Sequence, residues 1–190
     1  MIPFWKELEY FKDYQTKLKA YMGIEKATNI TSEALYIISL GTNDFLENYY
    51  TLPDRRSQYN IEQYQVFLSG IAEKFVKSIY DLGARKIVMT GLPPMGCLPL
   101  ERTTNFFGGN GDGCRDEYNK VALDFNVKVN GMVKKMNKEV KGIKMVFSNP
   151  YSIFLQIVRK PSLYGMFFFL TLIDSFGRVI LLRHVFGTNL

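Results

Sequence analysis

The sequence has little of what metal sites and disulfide-built scaffolds need. Its 190 residues include two cysteines and one histidine. Two cysteines are too few for a scaffold held by disulfides, and Cys97, Cys114 and His184 do not have the spacing of zinc ligands. We therefore expect no metal site and no cofactor.

Long apolar runs and strong patches of one charge are missing too. The most apolar stretch, Met166 to Leu182, is interrupted by Asp174 and Arg178 and falls short of the roughly 20 residues that span a bilayer. The net charge is +6, but lysines alternate with acids along helical stretches, which is typical of solvated helix faces. We expect neither a membrane span nor a nucleic-acid partner.

Signals for secretion and for phosphate binding are also absent. The segment after Met1 lacks the basic patch, apolar stretch and small-residue cleavage site of a secretory signal, so either the protein is not secreted or the chain is incomplete. The glycines from Gly108 to Gly113 are not followed by the Lys-Ser/Thr of a phosphate loop, which favours a surface turn.

What is present is the periodicity of a globular protein. The composition is 47% apolar, and the length favours one domain with one core. Asn60 and Gln63 have the spacing of a helix capping box. Apolar residues at helical spacing predict four helices, over Phe4 to Met22, Asn60 to Gly83, Tyr118 to Val140, and Tyr151 to Arg159.

Short apolar runs between these helices predict strands. They are Ala34 to Leu40, Lys86 to Gly91, and Ile143 to Ser148. The first suits a strand buried on both faces, and Thr42, Asn43 and Asp44 follow it in a predicted loop. Strands alternating with helices predict an α/β fold, a three-layer α/β/α sandwich in which adjacent parallel strands are joined by right-handed crossovers.

The predicted fold class indicates where a ligand would bind, but not which reaction the protein would catalyse. Ligands of open parallel sheets bind beyond the carboxyl ends of the strands. In this sequence those positions are Gly41 to Asp44, Leu92 to Gly96, and Asn149.

Four sequence blocks resemble the plant GDSL (SGNH) ester hydrolases in wording and order. They are SLGTNDF at Ser39 to Phe45, YDLGARKIVMTGLPPMGCLP, GDGCRDEYNKVALDFN, and KPSLYG. The first matches the Gly-x-Asn-Asp turn of the family. The resemblance covers most of Phe4 to Gly165, so we expect a partial GDSL domain over residues 1–165 and a divergent tail over residues 166–190.

The resemblance implies hydrolysis of a small-molecule acyl ester by a serine that a histidine deprotonates and an aspartate orients, with an oxyanion hole for the intermediate. It assigns Asn43 to the oxyanion hole and leaves Asp44 a structural role. The alternative for both side chains is a turn or helix cap that bonds only nearby backbone. It also implies an extracellular protein of lipid metabolism.

The other catalytic blocks of the family do not occur in this sequence. The serine and glycine blocks would precede Phe4, and Asp-x-x-His would follow the KPSLYG block, but Leu181 stands three residues before His184. Asp174 and Ser175 could in principle replace the lost serine block, but Ile173 takes the place of its glycine. We expect a chain that lacks its triad; the competing hypotheses are a non-enzymatic domain that binds an acyl or glycan ligand and a hydrolase with relocated residues.

Two modification sites depend on the same resemblance and on the compartment. The family commonly pairs the positions of Cys97 and Cys114, and the alternative is two reduced thiols. Asn29-Ile30-Thr31 is a glycosylation sequon, which matters only in the secretory pathway.

Overall fold

The computed structural model describes residues 2–104 and 113–165. They group into two compact units, one of residues 2–92 and 124–149 and one of the described residues within 93–123 and 150–165. The length had favoured one domain. The chain enters the second unit twice, so neither unit is a continuous stretch that a composition shift could mark.

The first unit contains a parallel sheet of three strands. These are β1 (Leu35–Ser39), β2 (Lys86–Thr90) and β3 (Lys144–Ser148), in the order β1-β2-β3. Both pairs are parallel, and Ile37 of β1 lies beside Val88 of β2, which lies beside Val146 of β3. The predicted α/β class and the adjacent parallel strands are confirmed, each strand being one or two residues shorter than its apolar run.

Helices α1 (Phe4–Met22), α2 (Ile24–Glu33), α3 (Pro53–Gln58) and α4 (Ile61–Asp81) also belong to the first unit. The predicted capping box is present, since the Gln63 N–H donates to Asn60 Oδ1 at 2.8 Å and Gln63 Oε1 accepts from the Asn60 N–H at 3.0 Å. α1 ends at Met22 as predicted, and Gly23, with φ +85°, caps it. The sequence did not predict α2, because it buries only Ala27 and Thr31, which are too small or too polar to mark an apolar stripe.

Helix α6 (Asp116–Glu139) runs from the second unit into the first. The second unit also holds α5 (Pro99–Thr104) and α7 (Tyr151–Arg159), with short 3-10 turns at Met95–Cys97 and Pro161–Tyr164. Among the described residues no helix is both long and apolar enough to cross a membrane, and no three His, Cys, Asp or Glu side chains form a metal-binding group.

Within residues 2–104 and 113–165, one face of the sheet is buried and the other is not. Ile38, Ile87, Met89 and Met145 are at most 7% exposed and lie on that face. On the opposite face Leu35 is 60% exposed and Ile37 70% exposed. The expectation that β1 is buried on both faces was therefore wrong for the described residues, although its continuous apolar sequence is that of a strand with two covered faces.

Candidate functional site

The chain turns sharply where β1 ends. Gly41 has φ +113°, a conformation that side chains rarely adopt. A Cβ atom at Gly41 would also lie 3.0 Å from the Leu92 side chain and 3.1 Å from the ring of Phe125. Both the backbone angle and the close packing require glycine at this turn.

The residues after Gly41 are helical, so the predicted loop at Thr42 to Asp44 was wrong. Helical backbone at residues 42 and 43 continues into a π-helix, Asp44–Thr51. The Leu52 N–H donates to the Glu47 carbonyl five residues earlier at 2.9 Å. π-Helices are rare and occur often at functional sites.

Phe45 anchors this π-helix in the core. Its ring is fully buried and makes edge-to-face contacts with Tyr64 and Phe125, at centroid distances of 5.7 and 5.2 Å. The Phe45 N–H donates to the Gly41 carbonyl at 2.8 Å. Phe45 therefore anchors the start of the π-helix in the core, while Asn43 just before it is exposed.

Asn43 is exposed at the start of the π-helix. Its backbone is α-helical, with φ −70° and ψ −31°, and its side chain makes no capping bond to the π-helix. No side-chain hydrogen bond of Asn43 occurs with any residue in the parts of the chain that the structure describes. A turn or cap role does not account for this amide, which is available to donate to a ligand.

Asp44, by contrast, is used by the fold. Its Oδ2 accepts from the Gly41 N–H at 3.2 Å, which closes the turn over the end of β1. Burial raises the pKa of the Asp44 carboxyl, and hydrogen bonds from the Gly41 N–H and the Asn48 side chain partly oppose that rise. Burial, with the nearby charge of Asp44, also raises the pKa of Tyr64 to about 12. Tyr64 is consequently a neutral donor here, and its hydroxyl lies 3.4 Å from the Asp44 carbonyl.

The end of β2 is held by a buried amide. Asn126 of α6 is 4% exposed; its Oδ1 accepts from the Leu92 N–H at 2.6 Å and its Nδ2 donates to the Leu92 carbonyl at 2.9 Å. A Cβ atom at Gly91 would lie 2.8 Å from Asn126 Oδ1 and 2.7 Å from the Phe147 ring, so glycine allows this close approach. Sequence reasoning missed Asn126, although a polar residue on the apolar stripe of a helix is a signal that could have revealed it.

A second asparagine of α6 has a similar role within the second unit. Asn119 is 6% exposed, and its Oδ1 accepts from the Gly96 N–H at 2.9 Å. Its Nδ2 lies 3.3 Å from Cys97 Sγ. A Cβ atom at Gly96 would collide with the Arg115 carbonyl, which explains the glycine.

Cys97 and Cys114 form a disulfide in the structure. Their Cα atoms lie 4.4 Å apart, within the range that a disulfide requires, and both residues are buried. The segment between them, whose central residues the structure does not describe, is closed by this bond and by the Arg115–Glu101 ion pair at 3.4 Å.

The remaining predicted positions lie on other elements of the chain than Asn43. Asn29 is exposed on α2, and the Thr31 hydroxyl of its sequon is buried and donates to the Ala27 carbonyl at 2.9 Å. Asn149 follows β3 and is exposed. Asp174, Ser175 and His184 lie outside the described residues, as do Gly108–112 and the apolar stretch at 166–182.

Comparison with known proteins places these features in a family. The sequence profile of GDSL-like lipases/acylhydrolases matches residues 6–161. GDSL esterase/lipase At2g42990 of Arabidopsis thaliana is 58% identical over 166 residues, which are 87% of this chain and 47% of that protein. GDSL esterase/lipase At2g04570 of the same plant is 54% identical over 165 residues, which are 87% of this chain and 47% of that protein. GDSL esterase/lipase APG, also from Arabidopsis thaliana, is 39% identical over 164 residues, which are 86% of this chain and 46% of that protein. The chain spans about half the length of these relatives.

Proposed function

Because the chain belongs to the GDSL-like lipase/acylhydrolase family, we propose that it carries part of a site that hydrolyses carboxylic acyl esters. In this proposal Asn43 is the oxyanion-hole donor, and the chain by itself is catalytically incomplete. The observation that supports it best is the exposed Asn43 amide, which no described residue bonds, at the carboxyl end of a parallel strand.

The role proposed for Asn43 requires that its side-chain amide be free to donate a hydrogen bond. When a nucleophile attacks an ester carbonyl, negative charge develops on the carbonyl oxygen, and an N–H aimed at that position stabilises it. Asn43 Nδ2 can donate to that oxygen because no internal partner competes for it. Gly41 and Phe45 fix the backbone on either side of Asn43, so the amide is carried on a rigid turn.

The nucleophile and its base must come from elsewhere. The 190 residues contain no Gly-Asp-Ser sequence and no Asp-x-x-His sequence, and their one histidine is His184. An oxyanion donor accelerates nothing unless a group attacks to form the oxyanion. We therefore assign residues 1–165 as the partial GDSL domain and 166–190 as a divergent tail without a catalytic role.

An extracellular location is part of the proposal. Disulfides persist in oxidising compartments, and Cys97 and Cys114 are bonded and buried.

An acyl-ester substrate also fits the lipase and esterase names of the relatives.

The proposal that the chain by itself is catalytically incomplete can be tested with the purified chain. Its hydrolysis of p-nitrophenyl butyrate is measured, and it is treated with a fluorophosphonate probe that labels activated serines. We expect hydrolysis at the buffer rate and no labelling. Stoichiometric labelling that Ser175→Ala abolishes would overturn the proposal, because it would make the tail the catalytic segment. Labelling that survives Ser175→Ala and tracks the chain through purification would point to another serine in it and would equally contradict the proposal.

A further inference from the structure

Helix α2 carries an asparagine that the fold does not explain. Asn29 lies two residues from Ala27 and two from Thr31, which are the residues that α2 buries. At about 100° per residue, Asn29 is about 160° around the helix axis from each of them, so it faces solvent. Its side chain is exposed and forms no hydrogen bond with any residue in 2–104 or 113–165. Because asparagine is also a weak helix former, the helix gives no reason for its presence here.

Thr31, the third residue of the same sequon, is used by the fold. It is 6% exposed, and its hydroxyl donates to the Ala27 carbonyl at 2.9 Å. Its own carbonyl accepts from the Tyr36 hydroxyl at 2.9 Å. A Cβ atom at Gly83 would lie 3.1 Å from Thr31 Cγ2, so this methyl group packs closely over Gly83. Packing therefore explains Thr31 without a sequon, but it does not explain Asn29.

We propose that Asn29 is the acceptor of an N-linked oligosaccharide, which is attached before α2 folds. Asn29-Ile30-Thr31 is the only Asn-x-Ser/Thr sequence in the 190 residues. Such acceptors are ordinarily surface loops of secreted proteins, since the transferring enzyme must reach both the amide and the hydroxyl. In folded α2 the Thr31 hydroxyl is bonded inside the protein, so attachment has to come first. This inference rests on the extracellular location proposed above, and it does not require that Asn43 be catalytic.

The attachment is a group transfer without a change of oxidation state. Its donor is an oligosaccharide that a diphosphate links to a polyprenol lipid. The bond between the anomeric carbon of the sugar and the diphosphate oxygen breaks, and that carbon forms a bond to Asn29 Nδ2. The lipid diphosphate leaves, and Nδ2 gives up one proton to a basic group of the transferring enzyme. The product is a neutral secondary amide that keeps one N–H.

The position of Asn29 in the first unit keeps an oligosaccharide away from the candidate site. The last residue of α2, Glu33, pairs with Lys86 at 2.6 Å, and Lys86 begins β2, so this end of α2 lies at the amino ends of the strands. Asn43 follows the carboxyl end of β1, and a strand of five residues is about 16 Å long. Glycosylation of Asn29 is therefore compatible with a ligand at Asn43.

The test adds a cleavable secretory signal to the full chain and translates it with endoplasmic-reticulum microsomes, so that import does not depend on the natural location. The gel mobility of the protease-protected chain is compared before and after endoglycosidase H. We expect one retarded band that the endoglycosidase removes, and no such band for Asn29→Gln. Thr31→Val keeps the branched shape but lacks the hydroxyl, so it should also lose the band. Thr31→Ser is the matched control, because it keeps the hydroxyl and should retain the band.

Three outcomes would overturn the inference. One is an imported, protease-protected chain without an endoglycosidase-sensitive band, and another is a band that persists in Asn29→Gln. The third comes from a pulse-chase: a glycosylated fraction that rises after the Cys97–Cys114 disulfide has formed would contradict attachment before folding. Glycosylation in microsomes of a chain that its own cells retain unglycosylated in the cytosol would support Asn29 as an acceptor and count against the extracellular location.

Discussion

The ends of β1 and β2 use the same side-chain type in opposite ways. After β2, the amide of Asn126 is buried, and both its oxygen and its nitrogen bond the backbone of Leu92. After β1, the amide of Asn43 is exposed and bonds no described residue. A fully bonded buried amide fixes a loop, whereas an amide left free at a strand end is the one that can serve a ligand.

Backbone position at the two ends is secured by different means. Gly41 and the Asp44 carboxylate hold the turn after β1 without using Asn43. Further along the chain after β2, the Cys97–Cys114 disulfide adds a covalent constraint. The contrast predicts that perturbations after β2 cost stability, while loss of the Asn43 amide costs only function.

Reducing the disulfide should have the largest effect on stability. The bond closes a loop with a sequence separation of 17, and its loss should lower the free energy of unfolding by roughly 3 kcal/mol. Urea denaturation with and without dithiothreitol measures this. The Cys97→Ala/Cys114→Ala double variant should not respond to dithiothreitol, and an oxidised chain that is equally insensitive would refute the prediction.

The two asparagines offer a matched pair of substitutions. Asn126→Ala leaves the buried backbone of Leu92 without partners and should lower the free energy of unfolding by about 1–3 kcal/mol. Asn43→Ala removes an exposed amide and should change it by less than about 0.5 kcal/mol. Thermal or chemical denaturation of both variants tests the contrast, which fails if their losses are equal.

The ionisation of Asp44 should have the smallest effect. Burial raises the pKa of this carboxyl in the folded state, so its contribution to stability is present at pH below its unfolded pKa and is lost as pH rises through its folded pKa. Relative to Asp44→Asn, the native chain should gain stability as pH is lowered from about 7 to about 4. Equilibrium denaturation across that range checks the sign, and a relative loss on acidification would show that hydrogen bonds outweigh burial.

Much of the sheet could be predicted because its sequence signals are local. β2 begins at Lys86 as predicted, and the Asn60 capping box fixes the start of α4 at the expected residue. The π-helix after Gly41 could not be predicted, because its register depends on how Phe45 packs against Tyr64 and Phe125, which are distant in sequence.

The candidate site could be predicted only in part from the sequence, because it too depends on contacts between residues that are distant in the chain. Resemblance identified Asn43 as a residue to examine, but whether its amide is free depends on three-dimensional contacts. The hydrogen bonds of Asn126 could not be predicted from the sequence, because its partner, Leu92, lies 34 residues away along the chain. Exposure of Ile37 could not be foreseen either, since β1 has the sequence of a strand covered on both faces.

The most direct test of the role of Asn43 places it in a complete domain. Residues 6–161 of this chain, which match the family profile, replace the residues of At2g42990 that align with them. Hydrolysis of p-nitrophenyl butyrate is compared for the chimera with and without Asn43→Ala, with Asn29→Ala as control. We predict that Asn43→Ala lowers kcat by about 100- to 1000-fold with unchanged circular dichroism, and that Asn29→Ala has no effect. A kcat within about threefold of the parent chimera would contradict the assignment of Asn43 to the oxyanion hole.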